Sequence, residues 1–582
     1  MGGIARLAGY LWRYWRRYLL GGLCLMGTTG LLMVIPWWIR AAINVITHGD
    51  PKSELSYYVL LIIVAAICGG LMRALSRSLI FNAGRNVEYD LRNDLFAHFE
   101  KLPLSYYQSQ STGDLMSRAI NDINAVRLLL GPGFLNLVNT PLYFAYAAVF
   151  MLAMDVRLTL AVGAVLTVLM GIFRLFRGRI QQASLRVQQQ MSALSAHVQE
   201  NLSGMHVVKA YVQEEPQTGR FVDLNTEYQT RSMELARYRG TINPLMVALH
   251  GFTVLIVLWY GGWLKTRGQL SVADLVAFIF YLNVLAWPMA AFGWMISLLE
   301  RGRAAMERLE DIFEVKPAIR DSLRPVSLEQ SIEGIEFRNV SYVYEGVSNG
   351  VAALDDISFK LPRGQKLAVV GRTGSGKSTL AHLIPRLYDV TSGEILVGGV
   401  DIRSLALKEL RRAVGYAPQD PFLFSSSVQQ NLRFGKDQAT TEEVDSAIRT
   451  AGLEHEIEVF PEGLDTLVGE RGISLSGGQK QRTTLARAIL ADPSYLILDD
   501  CLSSVDSQTE KQILESLETS LKEKTCIIIS HRIAAIKGAD EILVLEEGRI
   551  VERGVHESLL REDGIYAQMY RHQQVSEELE RI

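Results

Sequence analysis

The stretch KLAVVGRTGSGKSTLAHLIP, residues 366–385, decides the fold of the second half of this chain. Four apolar residues lead into three closely spaced glycines and then into a helical pattern. Gly371, Gly376, Lys377 and Ser378 fit the P-loop pattern G-x-x-x-x-G-K-[ST]. The glycines let backbone N–H groups turn towards phosphate oxygens, and the following helix presents the positive end of its dipole. The stretch therefore predicts a strand, a phosphate-binding loop and a helix in an α/β domain.

The P-loop gives its polar residues distinct roles. Lys377 is expected to neutralise phosphate charge, and Ser378 is expected to offer its hydroxyl to Mg²⁺. The candidate nucleotide-binding residues are Gly371, Arg372, Thr373, Gly374, Ser375, Gly376, Lys377, Ser378 and Thr379.

A second strand ends in acids, in LILDDCLSSVD, residues 496–506. A P-loop needs a carboxylate at the end of a neighbouring strand to help hold Mg²⁺. We predict that Asp499 is this metal-side carboxylate. Asp500 follows it directly as a second acid.

The first half of the chain has a different character. The chain has 582 residues and a net charge of −3, so it has no basic excess for nucleic-acid binding. Six uncharged stretches come close to the roughly 20 residues of a membrane helix. They are 18–39, 55–72, 128–154, 158–173, 240–264 and 275–299. Buried core helices are the alternative, but six such stretches favour six membrane spans.

Arginine is concentrated in two long segments between the spans, 73–127 and 174–239. The positive-inside rule therefore places both segments, both termini and the second half of the chain in the cytoplasm. We expect a multi-pass protein of the cytoplasmic (inner) membrane. The four cysteines lack metal-ligand spacing, and we expect buried, reduced thiols.

Between the P-loop and the acidic strand end lies LSGGQKQR, residues 475–482. This motif resembles the signature of ATP-binding cassette (ABC) ATPases. With six spans ahead of it, the chain looks like a half-size ABC exporter of the multidrug and lipid-flippase type. The resemblance implies an all-α six-helix transmembrane domain followed by an α/β P-loop nucleotide-binding domain. It divides the chain into 1–315, a linker at 316–333, and 334–582.

The resemblance also implies ATP and Mg²⁺ as cofactors, and roles for further residues. Tyr344 is similar to the aromatic residue that stacks on adenine, and His531 to the switch histidine. Gln419 is similar to the glutamine that senses Mg²⁺ and the membrane domain. The signature residues Ser476, Gly477, Gly478 and Gln479, together with Asp506 of the D-loop, are expected to meet nucleotide. The motif GERG, residues 469–472, resembles the exporter X-loop. The stretches GDLMSRAIND from Gly113 and ENLSGMHVVKAYVQEE from Glu200 resemble the two coupling-helix regions.

The family pairs two nucleotide-binding domains head to tail, so this chain resembles half of a dimer. In the family, a glutamate after the strand-end aspartate polarises the attacking water, and general-base help contributes about 10²–10⁴-fold. Asp500 is one methylene shorter, and a displacement of about 1 Å can cost roughly a hundredfold. Asp500 is therefore expected to be a poor base. This pattern, with an intact signature, resembles the aspartate-bearing subunit of heterodimeric exporters. The alternative is a homodimer with two equivalent sites, in which the loop around Asp500 has shifted to compensate.

The predicted function is ATP-driven export by alternating access, with Asp500, His531 and Gln419 as candidate catalytic residues. The expected partners are a second half-transporter, membrane lipid and a small amphipathic substrate, and no nucleic acid is expected. An ATP-gated channel or membrane-bound regulator is the alternative from another class. An importer is disfavoured because importers typically resemble separate membrane and ATPase chains.

Overall fold

The computed structural model describes residues 2–48, 51–328, 333–344, 351–469, 472, 475–520 and 524–580. It forms two compact units. The helical unit contains the chain up to Ala97 and Gly113–Glu314, and the sheet unit contains His98–Thr112 and Val315–Ile582. Residues 329–332 of the predicted linker, and Glu470 and Arg471 of the predicted X-loop, lie outside the described residues.

Long helices dominate the first 314 residues. They are α1 (Gly2–Arg13), α2 (Trp15–His48), α3 (Lys52–Phe99), α4 (Leu104–Ser109), α5 (Thr112–Ser117), α6 (Ile123–Leu128), α7 (Phe134–Met154), α8 (Val156–Ser203), α9 (Met205–Ala210), α10 (Glu214–Thr266) and α11 (Val272–Glu314). Two π-helical turns, Arg118–Asp122 and Leu129–Gly133, join α5, α6 and α7. The 48 residues of α3 extend roughly 70 Å, more than twice the thickness of the bilayer core.

Among the described residues, five helical segments are long and apolar enough to cross a membrane. The fourth span expected from the sequence corresponds to a shorter apolar stretch, Val156–Val168, at the start of α8. Several polar groups in these segments have hydrogen-bond partners, which lowers the cost of placing them in a membrane. The hydroxyl of Tyr281 donates to the carbonyl oxygen of Met33 at 2.9 Å. His250 Nε2 lies 3.2 Å from Asn283 Oδ1, which joins α10 to α11.

All four cysteines are free, and Cys501 and Cys526 are buried. Cys68 is exposed on α3, so the expectation of a buried thiol is wrong at that position.

A short helix, α4, precedes the first predicted coupling region. The short helix α4 groups with the sheet unit, whereas Gly113 and the residues after it group with the helical unit. Pro103 precedes the first residue of α4 in an extended conformation. After Gly113 the helical run continues through the π turn, because no helix-breaking residue interrupts it. In the second predicted region α8 ends at Ser203, α9 forms a short helix and α10 begins at Glu214.

The sheet unit contains two sheets. The strands are β1 (Ile335–Tyr342), β2 (Leu354–Leu361), β3 (Lys366–Gly371), β4 (Ser392–Val397), β5 (Val400–Asp401), β6 (Val414–Ala417), β7 (Tyr495–Asp499), β8 (Thr525–Ile529), β9 (Glu541–Glu546) and β10 (Arg549–Gly554). A four-stranded antiparallel sheet has the order β2-β1-β4-β5, and a six-stranded sheet has the order β10-β9-β3-β8-β7-β6. All five residues of β7 are buried, which is typical of a central parallel strand covered by helices on both faces.

The described helices of this unit are α12 (Lys377–Leu383), α13 (Leu407–Ala413), α14 (Val428–Arg433), α15 (Thr441–Thr450), α16 (Glu454–Val459), α17 (Gly477–Leu490), α18 (Ser507–Ser520), α19 (Ile533–Ile536), α20 (His556–Arg561) and α21 (Ile565–Glu580).

The parallel strands β3, β8, β7 and β6 end at one edge of the larger sheet. Val369 in β3 pairs with Ile529 in β8, and Ile529 pairs in turn with Asp499 at the end of β7. Ala417 at the end of β6 lies opposite Leu498. Since ligands of α/β sheets bind outside the carboxyl ends of the strands, this edge positions the candidate site.

Candidate nucleotide-binding site

A cavity of about 310 Å³ opens at this edge of the sheet. The strands β3, β8, β7 and β6 each lead into a loop that lines it. The lining residues are Tyr344, Ala353, Thr373, Gly374, Gly376, Lys377, Ser378, Thr379, Gln419, Asp499, Asp500, Ile529 and His531. The structure therefore brings residues predicted from four separate motifs, together with Tyr344, into a single cavity.

Two P-loop glycines leave no room for a side chain. Gly376 has a φ of +99°, and a Cβ atom there would lie 2.3 Å from the carbonyl oxygen of Ala353. A Cβ atom at Gly371 would lie 2.2 Å from the carbonyl oxygen of Leu545. Any L-residue at these positions would displace the neighbouring backbone, so glycine is required by space as well as by conformation.

Lys377 is buried within the loop that precedes it. Its Nζ atom donates to the carbonyl oxygens of Gly371 at 2.9 Å and Arg372 at 2.8 Å. Burial lowers the pKa of Lys377, and the negative charges of Asp499 and Asp500 oppose that shift. The ammonium group is thus a desolvated positive charge at the floor of the cavity, where an anionic group gains most from it.

Asp499 is the most deeply buried acid of the cavity, with 1% of its surface exposed. Its Oδ1 atom accepts from the Ser378 hydroxyl at 3.2 Å, and its Oδ2 atom accepts from the Tyr416 hydroxyl at 3.4 Å. Burial raises the pKa of Asp499; the bond from Ser378 acts against this shift, and the charge of Asp500 adds to it. A hydroxyl and a carboxylate side by side form the oxygen donor pair predicted from the sequence. Sequence reasoning missed Tyr416, whose contact spans 83 residues of chain.

Asp500 sits in a constrained backbone conformation. Its φ is +45°, and its N–H group donates to the carbonyl oxygen of Ile529 at 2.8 Å. The backbone N–H of His531 lies 3.5 Å from Asp500 Oδ1, at the limit of a hydrogen bond. The short carboxylate therefore lies against the loop after β8, and only 8% of the residue is exposed.

Tyr344 precedes the P-loop lysine in the sequence and Gln419 follows it, and both line the same cavity. The hydroxyl groups of Tyr344 and Thr379 are 3.0 Å apart, so the tyrosine is anchored to the helix that follows the P-loop. Tyr342 and Tyr388 pack edge-on against the Tyr344 ring. Gln419 is exposed beyond the end of β6.

The predicted signature residues do not line this cavity. The Ser476 hydroxyl caps α17 by accepting from the N–H of Gln479 at 3.3 Å, and the Gln479 side chain accepts from the N–H of Ser476 at 2.9 Å. Ser476 and Gly477 are exposed. Asp506, also predicted to meet nucleotide, instead accepts from the N–H of Thr509 at 2.9 Å and caps α18. Within one chain, the signature residues therefore lie outside the cavity that the P-loop lines.

The signature helix is joined to the D-loop of its own chain. Gln481 Nε2 donates to the Ser503 hydroxyl at 2.8 Å, and Gln481 Oε1 accepts from the N–H of Ser504 at the same distance. Arg532, directly after His531, donates to the carbonyl oxygens of Val505 and Ser503. These bonds link the signature, the D-loop and the switch histidine. Gln481 and Arg532 stand beside recognised motifs, and this adjacency is the only signal that could have found them.

A glutamine of the last helix holds the switch loop. Gln573 in α21 donates through Nε2 to the carbonyl oxygen of His531 and accepts through Oε1 from the N–H of Ile533 at 2.9 Å. One amide thus binds the backbone on both sides of Arg532. The sequence contained no motif that would single out Gln573.

The chain resembles known proteins over nearly its whole length. Residues 18–289 match the family model of the ABC transporter transmembrane region, and residues 354–503 match the model described as ABC transporter. The probable multidrug resistance ABC transporter ATP-binding/permease protein YheI of Bacillus subtilis (strain 168) is 35% identical over 98% of each chain. The multidrug resistance-like ATP-binding protein MdlA of Escherichia coli (strain K12) is 33% identical over 99% of this chain and 97% of its own. A solved bacterial Atm1-family ABC exporter with ATP bound superimposes with a TM-score of 0.79. It is 27% identical, and the match covers 96% of this chain and 98% of that chain.

Proposed function

This chain belongs to the ABC transporter family as a half-size exporter, and on that premise we propose that it exports amphipathic drug- or lipid-like compounds by alternating access. The predicted fold class and transport ATPase activity are confirmed by the family match. Exporters of this family function as dimers in a cell membrane. The proposal adds the identity of the partner, the inequality of the two ATP sites and the class of substrate.

The observation that supports a two-chain machine is the separation of P-loop and signature within one chain. The cavity holds the P-loop, Asp499 and His531, whereas Ser476 and Gly477 are exposed elsewhere. The N-terminal end of a helix such as α17 offers free N–H groups to an anion. We infer that each ATP is held between the P-loop of one chain and the signature of the other.

Mg²⁺ is proposed to enter with ATP. Ser378 and Asp499 already share a hydrogen bond of 3.2 Å, and hydroxyl and carboxylate oxygens are the donors that Mg²⁺ prefers. Gln419 lines the same cavity and would complete the set. When bound, the ion would offset charge on the β- and γ-phosphates. Lys377 would neutralise the same phosphates from below, Tyr344 would stack on the base, and His531 would contact the γ-phosphate.

Asp500 makes the site built by this chain the slower of two. A water positioned for in-line attack needs a base within about 2.6–3.2 Å. Asp500 is held against the backbone at His531, and it is one methylene shorter than the glutamate expected there. We propose a heterodimer in which the partner supplies a glutamate site, completed by the intact signature of this chain. A homodimer with two equal sites is the alternative.

The nature of the substrate is proposed from the relatives and from the spans. Two relatives carry multidrug resistance in their names. The polar pair His250 and Asn283 lies in the apolar segments of α10 and α11, and Asn283 is exposed in the single chain. An apolar pathway with few polar groups suits an amphipathic compound.

A transport assay tests the proposal. Inside-out vesicles containing this chain and its partner should accumulate a fluorescent lipophilic dye when MgATP is added. Lys377→Ala should abolish that accumulation, while Lys360→Ala, at an exposed lysine of β2, should leave it unchanged. Equal uptake by both variants would overturn the proposal. Ion current without accumulation against a gradient would favour a channel instead.

A further inference from the structure

An apolar groove lies between three helices of the helical unit. Its volume is about 600 Å³, and α1, α2 and α7 form its walls. The lining residues are Ala8, Leu11, Trp12, Trp15, Tyr18, Leu19, Gly22, Leu23, Met26, Phe134 and Val138. A volume of this size lies within the range of ligand-binding cavities in proteins.

The groove follows one stripe of α2. Its residues there recur at helical spacing from Trp15 to Met26, which corresponds to a rise of roughly 16 Å. Half of the hydrocarbon core of a bilayer is about 15 Å thick. A groove that begins among the arginines at the start of α2 and runs this far matches the depth of a single membrane leaflet.

Gly22 keeps the middle of the groove open. A Cβ atom at this position would meet no heavy atom within 4 Å outside the backbone of its own helix. Tyr18 forms part of the wall, is 6% exposed, and its hydroxyl has no hydrogen-bond partner among the described residues. The groove is therefore apolar and open at its middle, and it can accommodate a flexible acyl chain.

Helix α1 is fixed so that its apolar side faces the groove. Tyr10 donates to Asp94 at 2.6 Å, and Arg13 donates to Asp90 at 2.8 Å. These bonds hold the polar side of α1 against α3. Trp12 remains 77% exposed, and its ring stacks on Trp15 with centroids 6.4 Å apart. Tryptophan in such a position is typical of the membrane–water interface.

The open end of the groove carries uncompensated positive charge. The Arg16 guanidinium lies over the Trp15 ring at 5.8 Å, and the Arg17 guanidinium lies over the Tyr14 ring at 6.0 Å. Both arginines are exposed, and neither forms an ion pair with any residue that the structure describes. Asp90 is the nearby acid, and it is already engaged by Arg13. With its amide oriented to accept, Asn86 in α3 bonds Arg17 Nη1 at 2.7 Å, but this neutral group does not offset the charge of Arg17. Two positive charges on the residues next to Trp15 and Tyr18 complement an anionic head group on an acyl chain.

We propose that this groove binds one anionic phospholipid of the cytoplasmic leaflet. Its acyl chain lies along α2 over Gly22, and its phosphate lies at Arg16 and Arg17. The site differs from the general lipid contact of the spans in that defined residues hold both the acyl chain and the head group. It holds α1 against the membrane surface through a bound lipid.

Native mass spectrometry tests the proposal on the full-length protein. The protein is equilibrated with equal amounts of phosphatidylglycerol and phosphatidylcholine of the same acyl chains and then washed with detergent. Wild type should retain one phosphatidylglycerol per chain in preference to phosphatidylcholine. Gly22→Leu should lose it, because the new side chain fills the channel. Gly70→Leu, at another open glycine in a span, should retain it.

Replacing both Arg16 and Arg17 with glutamine should reduce the preference for phosphatidylglycerol by more than about tenfold, since each arginine near an anionic surface contributes about fivefold. If Gly22→Leu lowers the yield of folded protein, Val138→Trp fills the groove from α7 instead. Equal retention by Gly22→Leu and Gly70→Leu would overturn the proposal. So would equal retention of the two lipids by wild type, which would indicate ordinary lipid contact only.

Discussion

Replacing Asp500 with glutamate is the most direct test of unequal ATP sites. In the structure the Asp500 side chain lies against the backbone N–H of His531, and its own N–H is bonded to Ile529. These contacts fix where the carboxylate begins, so an added methylene moves the carboxylate roughly an ångström further into the cavity. On the proposed function, the carboxylate must extend in this direction to reach the attacking water.

The expected gain follows from the cost of misplacement. Because a shift of about 1 Å costs up to roughly a hundredfold and general-base help contributes about 10²–10⁴-fold, Asp500→Glu should raise kcat by about 10–100-fold. The KM for ATP should change by less than about twofold, since the residues proposed to bind ATP are untouched. Asp500→Asn should lower kcat by less than about threefold, because it removes a base that contributes little.

The assay is phosphate release at saturating MgATP in lipid nanodiscs that each hold two copies of the purified chain, so that the P-loop of each copy can meet the signature of the other. Each variant is measured over a range of protein concentrations. Binding of a fluorescent ATP analogue reports nucleotide affinity separately, and Lys377→Ala provides the baseline without phosphate binding.

The reasoning fails if the chain alone hydrolyses ATP rapidly and Asp500→Asn abolishes that activity. The loop would then already place the aspartate as an effective base, and a homodimer with equal sites would follow. An Asp500→Glu variant with unchanged kcat and intact ATP binding would show that something other than reach limits the site.

Three further perturbations probe the surroundings of the cavity. Gln573→Leu should lower kcat by about tenfold through loss of two backbone hydrogen bonds, while Gln574→Leu, one residue further along α21, should leave it unchanged; equal rates would refute the role of the amide. Asp499→Asn should raise the melting temperature of nucleotide-free protein at pH 7.5 by a few degrees and abolish Mg²⁺-dependent ATP affinity. Burial raises the pKa of this carboxyl, so the folded protein carries a desolvation cost once it ionises. The gain in melting temperature should therefore shrink as pH falls through the raised pKa, and a gain independent of pH would contradict this account. Gly376→Ala should abolish ATP binding, because its Cβ would meet a carbonyl oxygen at 2.3 Å. Gly374→Ala, also at positive φ but with open space, should weaken ATP binding by less than about tenfold; similar losses in both would mean that crowding is not the cause.

The parts of the site that could be predicted are those encoded in a few consecutive residues. The P-loop and the acids at 499 and 500 can each be identified from a short sequence pattern. The carboxyl ends of parallel strands lie at the same edge of a sheet, which brings these motifs together. The sequence therefore predicted that Lys377 and Asp499 meet, although more than a hundred residues separate them.

Residues that act through tertiary contacts could not be found in this way. Tyr416 reaches Asp499 across 83 residues, and Gln573 reaches His531 across 42. Neither stands in a motif, and a tyrosine or a glutamine on its own has no specific pattern. The position of the first coupling region stays a prediction for a related reason. GDLMSRAIND has the apolar spacing of a helix, and only the tertiary structure shows that the short helix α4, which groups with the sheet unit, precedes it.

The distance between signature and P-loop within one polypeptide also bears on how the two halves are produced. On the proposed function, a copy without a partner binds nucleotide at Lys377. It lacks the signature of a second chain, which ATP hydrolysis requires. In the proposed heterodimer, uneven synthesis of the two chains would therefore leave inactive protein in the membrane that does not hydrolyse ATP. Co-ordinated expression would then save protein synthesis. ATP hydrolysis without transport is already prevented by the geometry of each copy.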